Sequence, residues 1–220
     1  MSERKTYVIL GLGRFGSTLA KELTDYNQDV IAIDKDMTNV DRVSSFVANA
    51  VCLDYTDIDA LKAAGVKDAD VGIVTTGTKL DQELLGLLNL KELGVPYVVA
   101  KAANTKAKDL MLKVGADETV SPETEMASRC AKKLISKDIL EIFDIDNDYS
   151  MFETKVLSNW VNKSLIELDL RNRFSLNVIG LKKDGKLVMN IDPNEKFKES
   201  DELLIVGPNK VFKNFEELNN

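Results

Sequence analysis

Short, uninterrupted apolar runs alternate with longer stretches of helical periodicity over the first 120 residues. The run YVIL at 7–10 reads as a strand buried on both faces, and a helix over about 15–26 follows it. The same grammar repeats: strand 30–33 and helix 37–46, strand 50–53 and helix 58–64, strand 71–74 and helix 80–93. A strand at 97–100, a helix at 107–114 and a short strand at 118–120 complete the series. Gly65, Gly94 and Gly115 each stand where a helix should stop. Strict alternation of strand and helix predicts right-handed parallel crossovers, and so an α/β domain with a doubly wound parallel sheet.

The pattern changes after Val120. Ser121, Pro122 and Glu123 read as a helix start, with a cap, a first-turn proline and a carboxylate near the helix N-terminus. Ala127, Cys130, Ala131, Leu134, Ile135, Ile139, Ile142 and Phe143 then form a wide apolar stripe, which predicts one long helix over about 122–143. The polar, turn-forming segment 144–149 places the domain boundary between residues 1–144 and 145–220. The remainder is β-rich: strands at 152–157, 177–181, 187–191 and 203–206, with a hairpin turn at Asp184-Gly185. A short amphipathic helix is expected over 165–170. A terminal one carries Val211, Phe212, Phe215 and Leu218 on one face. This second domain is a small α+β unit.

Charge and composition narrow the function. The net charge is −7 and the pI about 4.9, against the basic excess a general nucleic-acid binder shows. Histidine is absent, which removes Ser-His-Asp and Cys-His mechanisms, His-ligated metals and the usual general base. Cys52 and Cys130 are too few for a disulfide framework or a four-cysteine zinc site. No apolar run approaches the roughly 20 residues a membrane span needs, and the N-terminus lacks signal-peptide features, so a cytoplasmic location is expected.

The motif with most chemistry is Gly11-Leu12-Gly13-Arg14-Phe15-Gly16, directly between the first strand and the first helix. In that context Gly11 permits a tight turn, Gly13 lets a phosphate approach the backbone, and Gly16 lets helix and sheet pack closely. The helix N-terminus adds free N–H groups and partial positive charge. Asp34 ends the second strand, where an acid accepts from ribose hydroxyls and disfavours a 2′-phosphate. Lys35, Asp54, Thr75, Thr76 and Gly77 lie at or just past other strand ends, along the crevice where open α/β sheets bind ligands. Arg14 suits a ligand with more charge than a diphosphate, or is a solvated turn residue. A dehydrogenase would need a proton-transfer group and a substrate domain. The chain offers no histidine for the first, and 145–220 offers no acid–base pair for the second.

Taken with Ile31-Ala-Ile-Asp34, Ala100-Lys101-Ala102, Gly115-Ala116-Asp117 and Ser121-Pro122-Glu123, the glycine turn resembles that of the RCK proteins. These are the cytosolic TrkA-N/TrkA-C regulatory subunits of bacterial potassium transporters. The stretch Lys163-Ser-Leu-Ile166-Glu-Leu-Asp169 adds to the resemblance, which covers nearly the whole chain. It implies a Rossmann-like domain, a crossover helix and a C-terminal RCK domain, with no catalysis. It implies dimers assembled into an octameric ring on a KtrB-like membrane pore subunit, at the inner face of the membrane, without nucleic acid. It further implies ATP and ADP competing for one site, with ATP activating. Gly11, Gly13, Gly16 and Lys101 would then meet phosphates, Arg14 the γ-phosphate, and Glu123 a divalent cation (Mg or Ca) at a dimer interface. Read from the residues alone, Glu123 is equally a helix-start carboxylate. The resemblance also implies cyclic di-AMP at Leu165, Ile166, Arg171, Asn177, Val178 and Pro193, although the apolar members of that set also fit a core or a dimer contact. A Trk-type regulator that senses NAD or NADH, and more distantly an NAD-dependent oxidoreductase, remain alternatives.

Overall fold

The computed structural model describes residues 4–75, 79–135 and 137–213 of the chain, with side chains up to 211. It divides into two compact units, 1–123 and 124–220.

In the first unit the strands are β1 (Thr6–Leu10), β2 (Asp29–Asp34), β3 (Asn49–Cys52), β4 (Val71–Val74), β5 (Tyr97–Lys101) and β6 (Glu118–Val120). The helices are α1 (Arg14–Asp25), α2 (Met37–Ser44), α3 (Ile58–Ala63), α4 (Leu80–Glu92) and α5 (Thr105–Val114). The strands form one parallel sheet in the order β3-β2-β1-β4-β5-β6. Successive residues of β1 explain its unbroken apolar run. Val8 and Leu10 pack with Ile33, Leu87, Leu90 and Met111 on one face, and Ile9 packs with Leu12, Ala20, Val40 and Val43 on the other. The chain leaves β1 towards β2 on one side and later returns to β4 on the other. That reversal opens a crevice at the carboxyl ends of β1 and β4.

In the second unit, α6 (Pro122–Ile135) leads from the boundary into a five-stranded antiparallel sheet of order β10-β9-β11-β8-β7. Its strands are β7 (Ile139–Asp144), β8 (Tyr149–Lys155), β9 (Asn177–Lys183), β10 (Lys186–Val188) and β11 (Glu202–Pro208). Two short helices, α7 (Leu165–Leu168) and α8 (Leu170–Phe174), and the terminal α9 (Asn209–Lys213) complete it. Phe152, Phe197, Trp160, Leu203 and Ile205 centre its core.

The expected long helix is the clearest departure. The helix ends at Ile135, and 139–144 is a strand. The misleading signal was the three-residue spacing of Ile139 and Ile142, both buried. On a regular strand that spacing points to opposite faces. Here the register shifts between Ile139 and Glu141, inserting one extra residue, and the bulge returns both isoleucines to the same core. The hairpin strand β10 also stops at Val188, short of 191, and α8 was not anticipated. Phe215 and Leu218 of the expected terminal helix lie outside the described residues, and the side chain of Phe212 likewise.

Helix α7 starts on a capping box. Ser164 Oγ accepts from Glu167 N–H at 3.3 Å, and the Glu167 carboxylate accepts from Ser164 N–H at 2.7 Å. Ser164→Ala is expected to destabilise the second unit by about 1 kcal/mol, read as a lower urea midpoint with an unchanged slope.

Candidate functional site

The site begins where β1 ends. Gly11 has φ +97°, a left-handed conformation that a side chain would strain. Its N–H donates to Ile33 O (2.8 Å), and the N–H of Leu12 donates to Asp34 Oδ2 (2.6 Å), so the glycine turn is fastened to the end of β2. The Thr75 hydroxyl donates to Gly11 O at 2.6 Å, fastening it to the end of β4 as well.

The other two glycines of the motif are required for different reasons. A Cβ on Gly16 would stand 2.0 Å from Gly11 O and 2.6 Å from Thr75 Oγ1, so Gly16 is demanded by packing. Gly13 has an ordinary extended conformation (φ −63°), and a Cβ there would meet nothing within 4 Å. Nothing in the described structure requires glycine at 13. Gly13 is also the N-cap position of α1, which lacks both a side-chain cap and a first-turn acid. The positive end of α1 is therefore uncompensated.

A cavity of about 450 Å³ opens over this turn, within the usual size range of small-ligand sites. Of the residues expected from sequence, Gly11, Gly13, Arg14, Phe15, Asp34, Lys35, Thr75, Lys101 and Glu123 all line it. Gly16 lies behind the turn. Asp54 does not reach the cavity: its carboxylate accepts from Thr56 N–H and Oγ1–H, bonds that hold its pKa below the usual range. Thr76 and Gly77 lie outside the described residues. The lining also includes Asp36, Asn39, Tyr55 and Gln82, which sequence reading did not pick out.

Asp34 is buried and already engaged. Oδ2 accepts from Leu12 N–H and from Asn39 Nδ2 (3.1 Å), and Oδ1 accepts from Asp36 N–H (2.9 Å). A carboxylate has about four acceptor positions, so one remains open on Oδ1. A second hydroxyl would have to displace Asn39. The capping of α2 falls to Asp36, whose carboxylate accepts from Thr38 N–H at 2.9 Å.

Cations gather opposite. Lys101 ends β5, its side chain only 14% exposed, with its ammonium on the Glu123 carboxylate and 5.9 Å from the Phe15 ring centre. Lys101 holds the Glu123 pKa down through that hydrogen bond, and the charges of Lys101 and Arg14 act the same way. Lys35 reaches across to Gln82 Oε1 at 3.1 Å. Glu123 is a single carboxylate, and among the described residues no group of three or more His, Cys, Asp or Glu could hold a metal ion.

In the second unit, Leu165, Ile166, Arg171, Asn177, Val178 and Pro193 all line one cavity of about 380 Å³, with the buried Leu170 and Leu176 and with Asp169. Ile166 N–H donates to Pro193 O (3.2 Å), which ties α7 to the far wall. Among the described residues no helix is long and apolar enough to cross a membrane.

A parallel sheet with a glycine turn at its reversal point, an acid closing β2 and cations at the cavity mouth define a Rossmann-type nucleotide-binding domain. Here it is joined to a small antiparallel-sheet domain. The TrkA-N domain model matches residues 7–122 and the TrkA-C domain model residues 151–220, and the chain belongs to this family of RCK proteins. It is 30% identical to the Ktr system potassium uptake protein C of Bacillus subtilis over 214 residues, 97% of each chain. The RCK domain of GsuK shares the fold, with a TM-score of 0.66 and 18% identity, over all of this chain and 48% of that one. A GsuK structure bound to ADP aligns at 27% identity and a TM-score of 0.50, over 60% of this chain and 34% of that one. The chain spans less than half of either solved chain.

Proposed function

We propose that this chain is a cytosolic gating subunit that binds adenine nucleotides at the glycine turn and controls potassium flux through a KtrB-like membrane pore partner. The observation that carries the reading is Gly13. Its conformation and surroundings make no demand for glycine, whereas a phosphate seated on the uncapped end of α1 would. The potassium-uptake relative and the ADP-bound neighbour support the same assignment.

In this reading ATP activates and ADP inactivates. Arg14 meets the γ-phosphate, Lys101 the other phosphates, and Asp34 a ribose hydroxyl. With the phosphates at Lys101, Glu123 would be the residue to hold a divalent cation, which would supply neutralisation of the phosphate charge. The subunit performs no chemistry; it transmits the difference between two ligands, and only differential contacts can do so. Subunits pair and assemble into an octameric ring at the inner membrane face. Helix α6 supports pairing: none of its residues is buried, and Leu134 and Ile135 are 86% and 72% exposed. The cavity on α7 and β9 takes cyclic di-AMP, its apolar walls facing the adenines and Arg171 a phosphate.

Asp34 favours a second reading equally, a Trk-type sensor of NAD or NADH, because the ribose contact is common to both ligands. A thermal-shift panel of ATP, ADP, NAD, NADH and cyclic di-AMP separates them; a response to NADH without one to ATP would overturn the first reading. Within it, Arg14→Ala is expected to cost ATP roughly 10-fold or more in affinity while ADP changes little, the worth of a charge-assisted hydrogen bond. Equal losses for the two nucleotides in a titration would remove Arg14 from γ-phosphate sensing.

A further inference from the structure

Asn39 stands in the first turn of α2, half-buried, and lines the nucleotide cavity beside Asp34. Its carboxamide is pinned at both ends. Nδ2 donates to Asp34 Oδ2 at 3.1 Å, and Oδ1 accepts from Arg42 Nη2 at 2.8 Å. Those two bonds fix which end of the amide faces the acid. Inverted, it would set its oxygen against a carboxylate and its nitrogen against a guanidinium. Nδ2 carries a second N–H, which has no protein partner among the described residues.

Asp34 cannot take both hydroxyls of a ribose while these bonds hold. Leu12 N–H and Asn39 Nδ2 occupy Oδ2, and Asp36 N–H occupies one position on Oδ1. Two of the three donors are backbone groups, set by the glycine turn and by the start of α2. The third is the amide that Arg42 holds in place. The hydroxyls of a ribose stand on adjacent carbons, so when one reaches the open position on Oδ1 the other falls beside the neighbouring side chain.

We propose that Asn39 is a specificity-determining residue that divides ribose recognition in two: one hydroxyl donates to Asp34 Oδ1, and the other accepts from the second N–H of Asn39 Nδ2. This rests on the reading that Asp34 meets the ribose of a nucleotide. The two contacts differ in kind. A hydroxyl on a carboxylate is charge-assisted and roughly twice as strong as one on a neutral amide. The site therefore reads the two hydroxyls unequally, whereas an acid open on both oxygens would read them alike.

Titration of the whole chain with ADP, 2′-deoxy-ADP and 3′-deoxy-ADP tests it. Removing one hydroxyl should cost about 10-fold or more in affinity, and removing the other roughly 3-fold. Equal costs, or no cost for one hydroxyl, overturn the division and leave nucleotide binding standing. No ADP binding overturns both. Asn39→Leu keeps the side-chain volume and removes the amide. In it the smaller cost should vanish, so that ADP and one deoxy analogue bind alike, while the larger cost stays. A merely structural role for Asn39 would weaken all three nucleotides by one factor and keep both costs, and that result overturns the proposal.

Discussion

Gly16→Ala should leave the first unit unfolded or less stable by about 3 kcal/mol or more, while Gly13→Ala leaves its stability within about 1 kcal/mol and weakens ADP binding. The two glycines are three residues apart in one motif, and they fail in different ways. The added methyl at 16 meets a carbonyl at 2.0 Å. That carbonyl has little freedom to retreat: it accepts from Thr75 Oγ1, and the Gly11 N–H is bonded to Ile33 O. Relief requires separating α1 from β1, where Leu12 and Ala20 are fully buried. At 13 the methyl enters open space on an extended backbone, and the cost is that of a less favoured N-cap residue. What it occupies is the approach of a phosphate to the start of α1, where a loss of at least 10-fold in affinity is expected. Urea unfolding and ADP titration of the two variants separate the cases. A Gly13→Ala protein with unchanged ADP affinity would defeat the phosphate assignment.

Removing the charge of Glu83 should stabilise the ligand-free protein, but only above acidic pH. Burial in the first turn of α4 pushes its folded-state pKa up to about 7, above the ordinary 4.5, so between those values the folded chain binds more protons than the unfolded one. Stability contributed by the protonated form is complete below 4.5 and is lost as pH rises through 7. Glu83→Gln, neutral at every pH, escapes that loss. Its advantage should be small near pH 4.5 and grow to about 3 kcal/mol above pH 7. The carboxylates whose pKa is held down, Asp54 and Asp117 among them, weaken both proteins alike in acid and cancel in the difference. Urea unfolding of the first unit at pH 5, 6, 7 and 8 measures it, and an offset that does not vary with pH would place the effect in packing instead of ionisation.

The parallel sheet was legible because its central strands bury both faces, and few other folds produce a continuous apolar run followed by a helical period, repeated in series. The glycine turn was legible for the same reason: its meaning comes from the strand before it and the helix after it. The strand at 139–144 was not legible, since a bulge makes two core residues recur at three, a spacing helices use. Asn39 and Gln82 were missed for another cause. Each is a polar residue near a helix start, and locally neither differs from a solvated one. Only the sheet order, which brings the starts of α2 and α4 beside the β1 turn, puts them on one cavity. In the second unit the six residues that the resemblance implied do line one cavity: five lie on the consecutive elements α7, α8 and β9, and Pro193 joins them from beyond β10 by accepting from Ile166 N–H.

Helix α6 has a thermodynamic consequence. It is fourteen residues long, near the limit at which an isolated helix holds together in water. Its ion pairs to β7, Arg129–Glu141, Lys132–Asp144 and Lys133–Glu141, are too exposed to contribute much. If copies pair through α6 as proposed, a segment ordered mainly by that contact would take its stability from mass action, and the order of α6 would vary with protein concentration.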